Sequence, residues 1–329
     1  MEVKNWPKIE LHVHLDCSLS YDVVMQLNPG ISPEGYRNNF VGPPKCHNLA
    51  DYLTRANAAL KILQSAEALQ LAVIDLFKQW KADHVVYGEV RFAPLLHIRQ
   101  GLKAEKAVEV VNKTVEECIM ESGIEAGIIL CTLRHFSENQ GMETIKLVEA
   151  YAGTRVVGFD IASDEAGYPI DAHIKPFQYA QQKGIPCTAH AGEAKGAESV
   201  WETLEFFKPS RIGHGVRSLE DPLLIKHLTD QQIHLEVCPT SNVQTNVYNE
   251  IFDHRVTEIY HAGISMSLST DARAISNITL EKEYTIMRDV FGWEKTHFLK
   301  CNLEGIHHAF ASLEVKEKVR QKILAGYQE

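Results

Sequence analysis

Apolar and polar residues alternate strictly along the stretch from Lys8 to Asp16. A period of two is the pattern of a β-strand, whose successive side chains point to opposite faces. One face of this strand is aliphatic, and the other carries His12, His14 and Asp16. The pattern therefore predicts a strand that presents two imidazoles on the same side, close enough to share one metal ion.

Seven more short apolar runs follow, separated by segments with apolar residues at helical spacing. The predicted strands cover residues 8–16, 84–92, 125–131, 155–161, 185–189, 211–213, 234–237 and 264–268. The predicted helices cover residues 18–30, 48–62, 65–83, 104–122, 139–151, 172–183, 197–207, 222–229 and 255–262, and residues 277–329 are predicted to be helical. A polar loop rich in glycine and proline is predicted over residues 28–46, long enough to act as a cover.

Alternating strands and helices favour a parallel sheet, and eight strands favour a closed α/β barrel, a (β/α)8 TIM-type barrel with additional helices. An open doubly wound sheet is the alternative, but it normally has a glycine-rich phosphate turn after its first strand, and none is present. The 329 residues show no internal repeat, linker or low-complexity tract. A single domain over residues 1–329 is therefore expected.

Composition narrows the class of ligand. With 33 Lys and Arg against 43 Asp and Glu, the net charge is -10. An acidic surface repels phosphate backbones and anionic lipids, so nucleic acid and membrane are excluded as partners and a small molecule is favoured. The seven cysteines are scattered and form no C-x-x-C pair. They are typical of reduced thiols.

The first six residues lack the apolar core of a signal peptide, and no apolar run is long enough to span a membrane. A cytoplasmic protein is expected. The sequence carries no signal for an oligomeric state.

Potential ligands and proton carriers lie where predicted strands end. His12 and His14 close the first strand, His190 the fifth, His214 the sixth and Asp271 the eighth. In a barrel of this type the carboxyl ends of the strands form one mouth, where the active site lies. We therefore expect these five side chains to converge.

Imidazoles and a carboxylate suit Zn²⁺, and a catalytic zinc lowers the pKa of water from about 15.7 to near 7. The pattern thus predicts a hydrolase. Glu193, three residues beyond His190, is a candidate general acid. His214, between two glycines, is either a metal ligand or a group that orients and deprotonates the water. Plainer alternatives are a core histidine for His214 and a helix N-cap for Asp271.

Five motifs in order resemble those of the adenosine deaminase family of the amidohydrolase superfamily, over residues 7 to about 290. They are Leu11-His12-Val13-His14-Leu15-Asp16, His190-Ala191-Gly192-Glu193, Gly213-His214-Gly215, Glu236-Val237-Cys238-Pro239 and Ser269-Thr270-Asp271. The resemblance implies a barrel with one Zn²⁺ that deaminates C6 of a purine in purine metabolism. By position, the zinc ligands would be His12, His14, His190 and Asp271.

The resemblance also implies roles for the remaining residues. Glu193 would protonate purine N1, and His214 would activate or position the attacking water. Asp16 would accept a hydrogen bond from the ribose 5'-hydroxyl. A helix over residues 49–63 would form a lid, with Tyr52 and Leu53 covering the nucleoside beside His14, although its apolar stripe is equally explained by core packing.

Three positions depart from the family pattern and bear on which substrate is predicted. Ala272 replaces a second Asp that hydrogen-bonds purine N7, and Ser163 replaces a Gly whose backbone N–H reaches N3. A backbone donor survives that change if φ stays negative. Cys17 replaces a Gly after Asp16.

The expected reaction converts adenosine and deoxyadenosine to the inosine forms and ammonia. Another 6-aminopurine, adenine or a 5'-substituted adenosine, is the nearest alternative. A hydrolase of esters or cyclic amides, or an inactive nucleoside-binding relative, fits the motifs less well.

Overall fold

A computed structural model describes residues 3–328. Met1 and Glu2 of the amino-terminal stretch, and Glu329 at the end of the segment predicted to be helical, lie outside the described residues. Within them, the strands are β1 (Lys8–His14), β2 (Val85–Phe92), β3 (Glu125–Leu133), β4 (Val156–Ala162), β5 (Thr188–Ala191), β6 (Arg211–His214), β7 (His234–Val237) and β8 (Met266–Leu268).

All neighbouring strands are parallel. They form two four-stranded sheets in the orders β1-β2-β3-β4 and β5-β6-β7-β8. Isolated bridges join the sheets at both seams, between Val13 and Asp271 and between Phe159 and Cys187. The prediction of an α/β barrel is confirmed, because each strand follows its neighbour in chain order and the connections run through helices.

The helices lie mainly between the strands. They are α1 (Tyr21–Leu27), α2 (Pro33–Phe40), α3 (Leu49–Leu53), α4 (Ala56–Ile62), α5 (Ala66–Ala82), α6 (Ala104–Ser122), α7 (Glu138–Ala150), α8 (Ile174–Lys183), α9 (Ala197–Phe206), α10 (Pro222–Asp230), α11 (Pro239–Gln244), α12 (Val256–His261), α13 (Leu280–Phe291), α14 (Lys295–His308) and α15 (Leu313–Gly326). Over residues 3–328 every helix is too short or too polar to serve as a membrane span.

Two predictions about local structure were wrong, and one helix was missed. The region 28–46, predicted as a loop, contains α2, which begins at Pro33 after Ser32 caps the Gly35 N–H. Proline at the first helical position and serine before it are both start signals that the glycines and asparagines nearby obscured. The helix predicted over residues 48–62 is divided into α3 and α4, and α11 was not predicted.

The carboxyl-terminal helices pack on the barrel. Asn302 of α14 accepts a hydrogen bond from the Ile9 N–H at 2.8 Å, and its amide group also contacts Tyr284 and Tyr327. Trp6 stacks against Phe298 and Tyr327 at centroid distances near 5.5 Å. These contacts anchor β1, so its polar face is held toward the barrel mouth.

Candidate active site

The barrel mouth brings the five predicted strand-end residues together. The His14 Nε2 atom lies 3.1 Å from His190 Nε2 and 3.4 Å from Asp271 Oδ1, and His12 Nε2 lies 3.5 Å from the same oxygen. One ligand atom each of His12, His190, His214 and Asp271 falls within 4.8 Å of the others. A metal ion is compatible with this cluster, since nitrogens and a carboxylate oxygen face a common point.

Carboxylates behind two of the imidazoles determine which ring nitrogen carries the proton. Glu236 Oε2 lies 2.9 Å from His12 Nδ1, and Asp160 Oδ1 lies 3.1 Å from His190 Nδ1. Each carboxylate accepts the Nδ1 proton, so each Nε2 presents a lone pair to the centre of the cluster. The His12 Nε2 atom is buried and has no hydrogen-bond partner among the described residues. A bare, buried acceptor of this kind fits a metal ligand.

A buried arginine holds both carboxylates. Arg91 donates from Nη1 to Asp160 at 2.9 Å and from Nη2 to Glu236 at 2.7 Å, and Arg211 contacts Glu236 at 2.8 Å. Burial alone would raise the pKa of Glu236, but the Arg91 and Arg211 charges hold that pKa well below its usual range. The carboxylates therefore remain charged and keep the imidazoles oriented.

Glu193 is a buried carboxyl beside the cluster. Its Oε1 accepts a hydrogen bond from Thr245 Oγ1 at 2.9 Å, and its Oε2 lies 3.6 Å from His214 Nε2. Burial, followed by the negative charge of Asp271, raises the pKa of Glu193 well above its ordinary value. This upward shift favours the neutral, protonated form of the carboxyl.

Glu165 shapes the turn that carries Glu193. Its carboxylate accepts hydrogen bonds from the backbone N–H groups of Gly192, Glu193 and Lys195 at 2.8, 3.1 and 2.9 Å. Gly192 has φ +67° and lies against Val200, so a side chain there would collide. These bonds hold the turn that places the Glu193 carboxyl beside Thr245 and His214. Sequence reasoning gave Glu165 no role.

Three non-glycine residues of the site have positive φ. The values are +63° for His214, +63° for Asp271 and +85° for Ser163. Such conformations cost of order 1–3 kcal/mol each and cluster at functional sites. The negative φ on which the sequence argument made the Ser163 backbone donor depend is not observed. The backbone of Ser163 has the conformation that a glycine adopts easily, and its Oγ lies 3.3 Å from His135 Nδ1.

The short helix α11 and Thr245 after it contact three residues of the site. Sequence reasoning missed these contacts. Ser241 Oγ donates to Asp271 Oδ2 at 2.6 Å, and Asn242 Nδ2 lies 3.1 Å from His214 Nδ1. Thr245, which follows the helix, donates to Glu193. The only available signal was the run of small polar residues after the motif that ends in Cys238 and Pro239.

Glu283 accepts a hydrogen bond from the start of α11. Its buried carboxyl is expected to make the stability of the protein depend on pH. Its Oε1 accepts from the Thr240 N–H at 3.1 Å, and its Oε2 has no partner among the described residues. Burial raises the pKa of Glu283 from 4.5 to about 8. The folded state thus binds a proton more tightly than the unfolded chain. The stability that this carboxyl contributes is fully present below pH 4.5 and is lost as the pH rises to about 8.

Glu283→Gln should remove this loss, because the amide needs no proton to be neutral. We expect the free energy of unfolding of the variant, relative to wild type, to rise by roughly 1–3 kcal/mol between pH 5.5 and 9. Urea unfolding at several pH values measures it. Glu205→Gln, at an exposed position of α9, is the matched control. Parallel pH profiles for wild type and Glu283→Gln would contradict the prediction.

Two cavities with shared lining residues adjoin the cluster. A small one of about 40 Å³ is lined by His14, Leu49, Tyr52, Leu53, Ser163, His190, Glu193, His214, Asp271 and Ala272, with Cys17 at its side. It shares His14, Cys17, Leu53 and Ser163 with a cavity of about 490 Å³ that contains Asp16, Arg99, His135 and Tyr168. All residues predicted to contact substrate therefore border one of these cavities.

The surroundings of these residues narrow their chemistry. The Tyr52 hydroxyl lies 2.9 Å from Ser276 Oγ, so the lid residue is fixed to the barrel. Burial, then the charge of Asp16, raises the pKa of Cys17 well above its usual value, so this thiol is not a nucleophile. Arg273 points away from the cavities, because it pairs with Glu10 and Asp83.

The barrel and the buried cluster define a hydrolase of the amidohydrolase type. A family model described as "Adenosine deaminase" matches residues 7–325. The adenosine deaminase of Clostridium perfringens is 32% identical, over 98% of this chain and 100% of that protein. The chain therefore belongs to the adenosine deaminase family, as the motifs predicted, and it is a deaminase that acts on purines.

Two solved structures share the fold. An adenine deaminase from Arthrobacter aurescens has a TM-score of 0.91 and 23% identity, over 98% of this chain and 100% of that one. An amidohydrolase from Burkholderia ambifaria with bound Zn has a TM-score of 0.90 and 19% identity, over 99% of this chain and 92% of that one. At these identities the likeness extends to the fold alone.

Proposed function

We propose that this protein is a zinc-dependent deaminase of adenosine and deoxyadenosine. The observation that carries the proposal is a buried Glu193 carboxyl, whose pKa is raised well above its ordinary value, beside the His12 and His190 imidazoles whose Nε2 lone pairs face one point. The 32% identity to the adenosine deaminase of Clostridium perfringens supports the nucleoside as substrate. An acid that protonates a ring nitrogen is what deamination requires, and ester hydrolysis does not require it.

For the metal, we assign His12, His14, His190 and Asp271 as ligands of one Zn²⁺ per chain. A zinc ion held there would lower the pKa of water to near 7 and so supply a nucleophile at neutral pH. β4 carries no lysine that could bridge a second metal, and Asp160 on that strand instead supports His190. The Zn-bound barrel from Burkholderia ambifaria supports this choice of ion.

For the reaction, Glu193 donates its proton to purine N1, which makes C6 electrophilic. The water oxygen adds to C6. One water proton passes to the exocyclic amine, which leaves as ammonia, and the other returns to the Glu193 carboxylate, while the proton on N1 stays in the product. His214 orients the water. Ser163 offers its backbone N–H to N3 in its glycine-like conformation, and Asp16 accepts a hydrogen bond from the 5'-hydroxyl.

The larger cavity favours the nucleoside over the free base. Its 490 Å³ adjoin the small cavity at His14 and contain Asp16, so a ribose has both space and a hydrogen-bond acceptor. Glu193 also borders a cavity of about 590 Å³ with the charged residues Asp164, Arg217 and Glu220. We place the nucleoside in the cavity of 490 Å³, because the lid residues Leu53 and Leu60 line that cavity.

An absorbance and ammonia assay tests the proposal. Adenosine, deoxyadenosine and adenine are offered separately to the purified, zinc-loaded protein. Fast conversion of both nucleosides is expected, with adenine at least about 100-fold slower because it lacks the ribose contacts. Turnover of adenine alone would mean that the protein is a nucleobase deaminase. No ammonia from any of the three would overturn the proposal.

A second candidate, a 5'-substituted adenosine, is favoured by the width of the 490 Å³ cavity beyond Asp16, where Arg99 and His135 are exposed. 5'-Deoxyadenosine and a 5'-thioether of adenosine belong in the same assay. A value of kcat/KM for the thioether more than about 10-fold above that for adenosine would favour this candidate.

Ala272 predicts tolerance at purine N7. A site that hydrogen-bonds a substrate atom rejects an analogue lacking it by about 10⁴-fold, whereas an apolar wall discriminates little. We expect 7-deazaadenosine and adenosine to differ less than about 10-fold in kcat/KM. Ala272→Asp should widen the ratio, and Ala274→Asp, two residues along and outside both cavities, is the control for an added charge. A large preference for adenosine in the wild type would mean that another group reads N7.

A further inference from the structure

A chain of hydrogen bonds runs behind His214. The Val256 N–H donates to His254 Nδ1 at 3.0 Å, His254 Nε2 lies 3.2 Å from Asn242 Oδ1, and Asn242 Nδ2 lies 3.1 Å from His214 Nδ1. We propose that Asn242, oriented by His254, holds His214 with its proton on Nε2, so that His214 acts on the attacking water as a hydrogen-bond donor. The water rests on the proposed function, but the tautomer does not.

The first link determines the proton of His254. A backbone N–H can only donate, so the Nδ1 atom that faces Val256 carries no proton. His254 is 3% exposed, and its burial lowers its pKa from 6.5 to about 3. The ring is therefore neutral, and its single proton is on Nε2, directed at Asn242.

The second and third links follow from the first. Because His254 donates, the Asn242 atom that faces it must be the carbonyl oxygen, and the NH₂ group must face His214. An amide NH₂ can only donate, so His214 Nδ1 accepts and its ring proton is on Nε2. The network thus decides an amide orientation and a histidine tautomer that heavy-atom positions alone would leave open.

The site therefore contains imidazoles in two opposite tautomers. Carboxylates behind His12 and His190 place the proton outward and the lone pair inward, as a metal ligand needs. An amide behind His214 places the proton inward instead. In this tautomer His214 Nε2 has no lone pair for a metal ion and cannot accept the proton of the water.

The inward proton has a suitable position. His214 Nε2 lies 3.6 Å from Glu193 Oε2, which is too long for a hydrogen bond between them. The Nε2 proton of His214 is therefore available to an acceptor in the small cavity that both residues line, where reacting atoms would sit. His214 is thus a donor that positions the nucleophile, and Asn242 and His254 are positioning residues that act through it.

Asn242→Asp tests the tautomer, because it keeps the side-chain shape and replaces the donor with an acceptor. His214 should then carry its proton on Nδ1. We expect kcat to fall by up to about 10⁴-fold, the loss seen when a catalytic imidazole is held in the wrong tautomer, with KM within about 3-fold. Zinc content should stay at one per chain. Asn249→Asp, at an exposed position in the following loop, is the matched control.

A pair of variants at His254 separates orientation from packing. His254→Phe keeps a ring but removes the donor, so the Asn242 amide is free to turn over, and kcat should fall about 10-fold or more. His254→Gln supplies a donor near the Nε2 position and should recover most of the loss. Equal defects in both variants would mean that His254 matters only for packing.

A spectroscopic measurement decides the tautomer without activity. Long-range ¹H–¹⁵N correlation spectra of histidine-labelled, zinc-loaded protein distinguish the two ring nitrogens, and His214→Gln assigns the signal. The expected result is a proton on Nε2 of His214, moving to Nδ1 in Asn242→Asp. A proton on Nδ1 in the wild type, or unchanged kcat in Asn242→Asp, would overturn the proposal. Should the wild type have the Nε2 tautomer yet deaminate nothing, only the proposed function would fail.

Discussion

Glu193→Gln is expected to reduce kcat by about 10²–10⁴-fold while the protein still binds one zinc, because the amide keeps the shape of the protonated acid but has no acidic proton. Burial and the charge of Asp271 hold the Glu193 pKa well above its ordinary value, which favours the neutral acid, and glutamine is likewise neutral. Steady-state kinetics with adenosine and a metal assay measure both quantities.

The design isolates proton donation from binding. Thr245 can still donate to the amide oxygen of the variant, so KM should change by less than about 5-fold. Glu205→Gln, on an exposed face of α9, controls for the loss of a carboxyl. A Glu193→Gln enzyme with near wild-type kcat would exclude the acid role and direct attention to another proton source.

Removal of the metal is expected to abolish turnover, with a loss of more than about 10³-fold that one equivalent of Zn²⁺ per chain reverses. Without the ion the pKa of water returns toward 15.7, so the nucleophile is lost. A bound ion also stabilises the folded state, by about 2.7 kcal/mol at a concentration 100 times its dissociation constant. Dialysis against a chelator, followed by activity and thermal unfolding, measures both effects.

The ligand set can be examined in the same experiment. His190→Ala should prevent zinc from restoring activity, since its Nε2 faces His14 Nε2 at 3.1 Å. Glu193→Gln should still regain the thermal stabilisation on addition of zinc, because its carboxyl is assigned to the substrate. Full activity after complete removal of metal would contradict the metal-dependent mechanism.

Regular strand patterns predicted most of the barrel. Strict alternation from Lys8 to Asp16 was sufficient to place His12 and His14 on one face, because a strand has only two faces. Local signals failed where two of them competed. The start signals of Ser32 and Pro33 were outweighed by the surrounding glycines and asparagines, and the strained φ of Ser163 has no sequence signature.

Long-range pairings explain what sequence reasoning could not reach. Asn242 and His214 are 28 residues apart, and Ser241 and Asp271 are 30 apart, so no periodicity links them. Their contacts depend on how the segment after β7 folds over the barrel mouth. The same holds for Arg91, whose two carboxylate partners are 69 and 145 residues away.

The sequence by itself determined the order of the eight strands, the family, and which side chains lie at the strand ends, because these follow from local periodicity and short motifs. Only the tertiary structure decided how each imidazole is protonated and oriented. A carboxylate behind His12 and an amide behind His214 set opposite tautomers, and hydrogen-bond partners become neighbours only after the barrel closes.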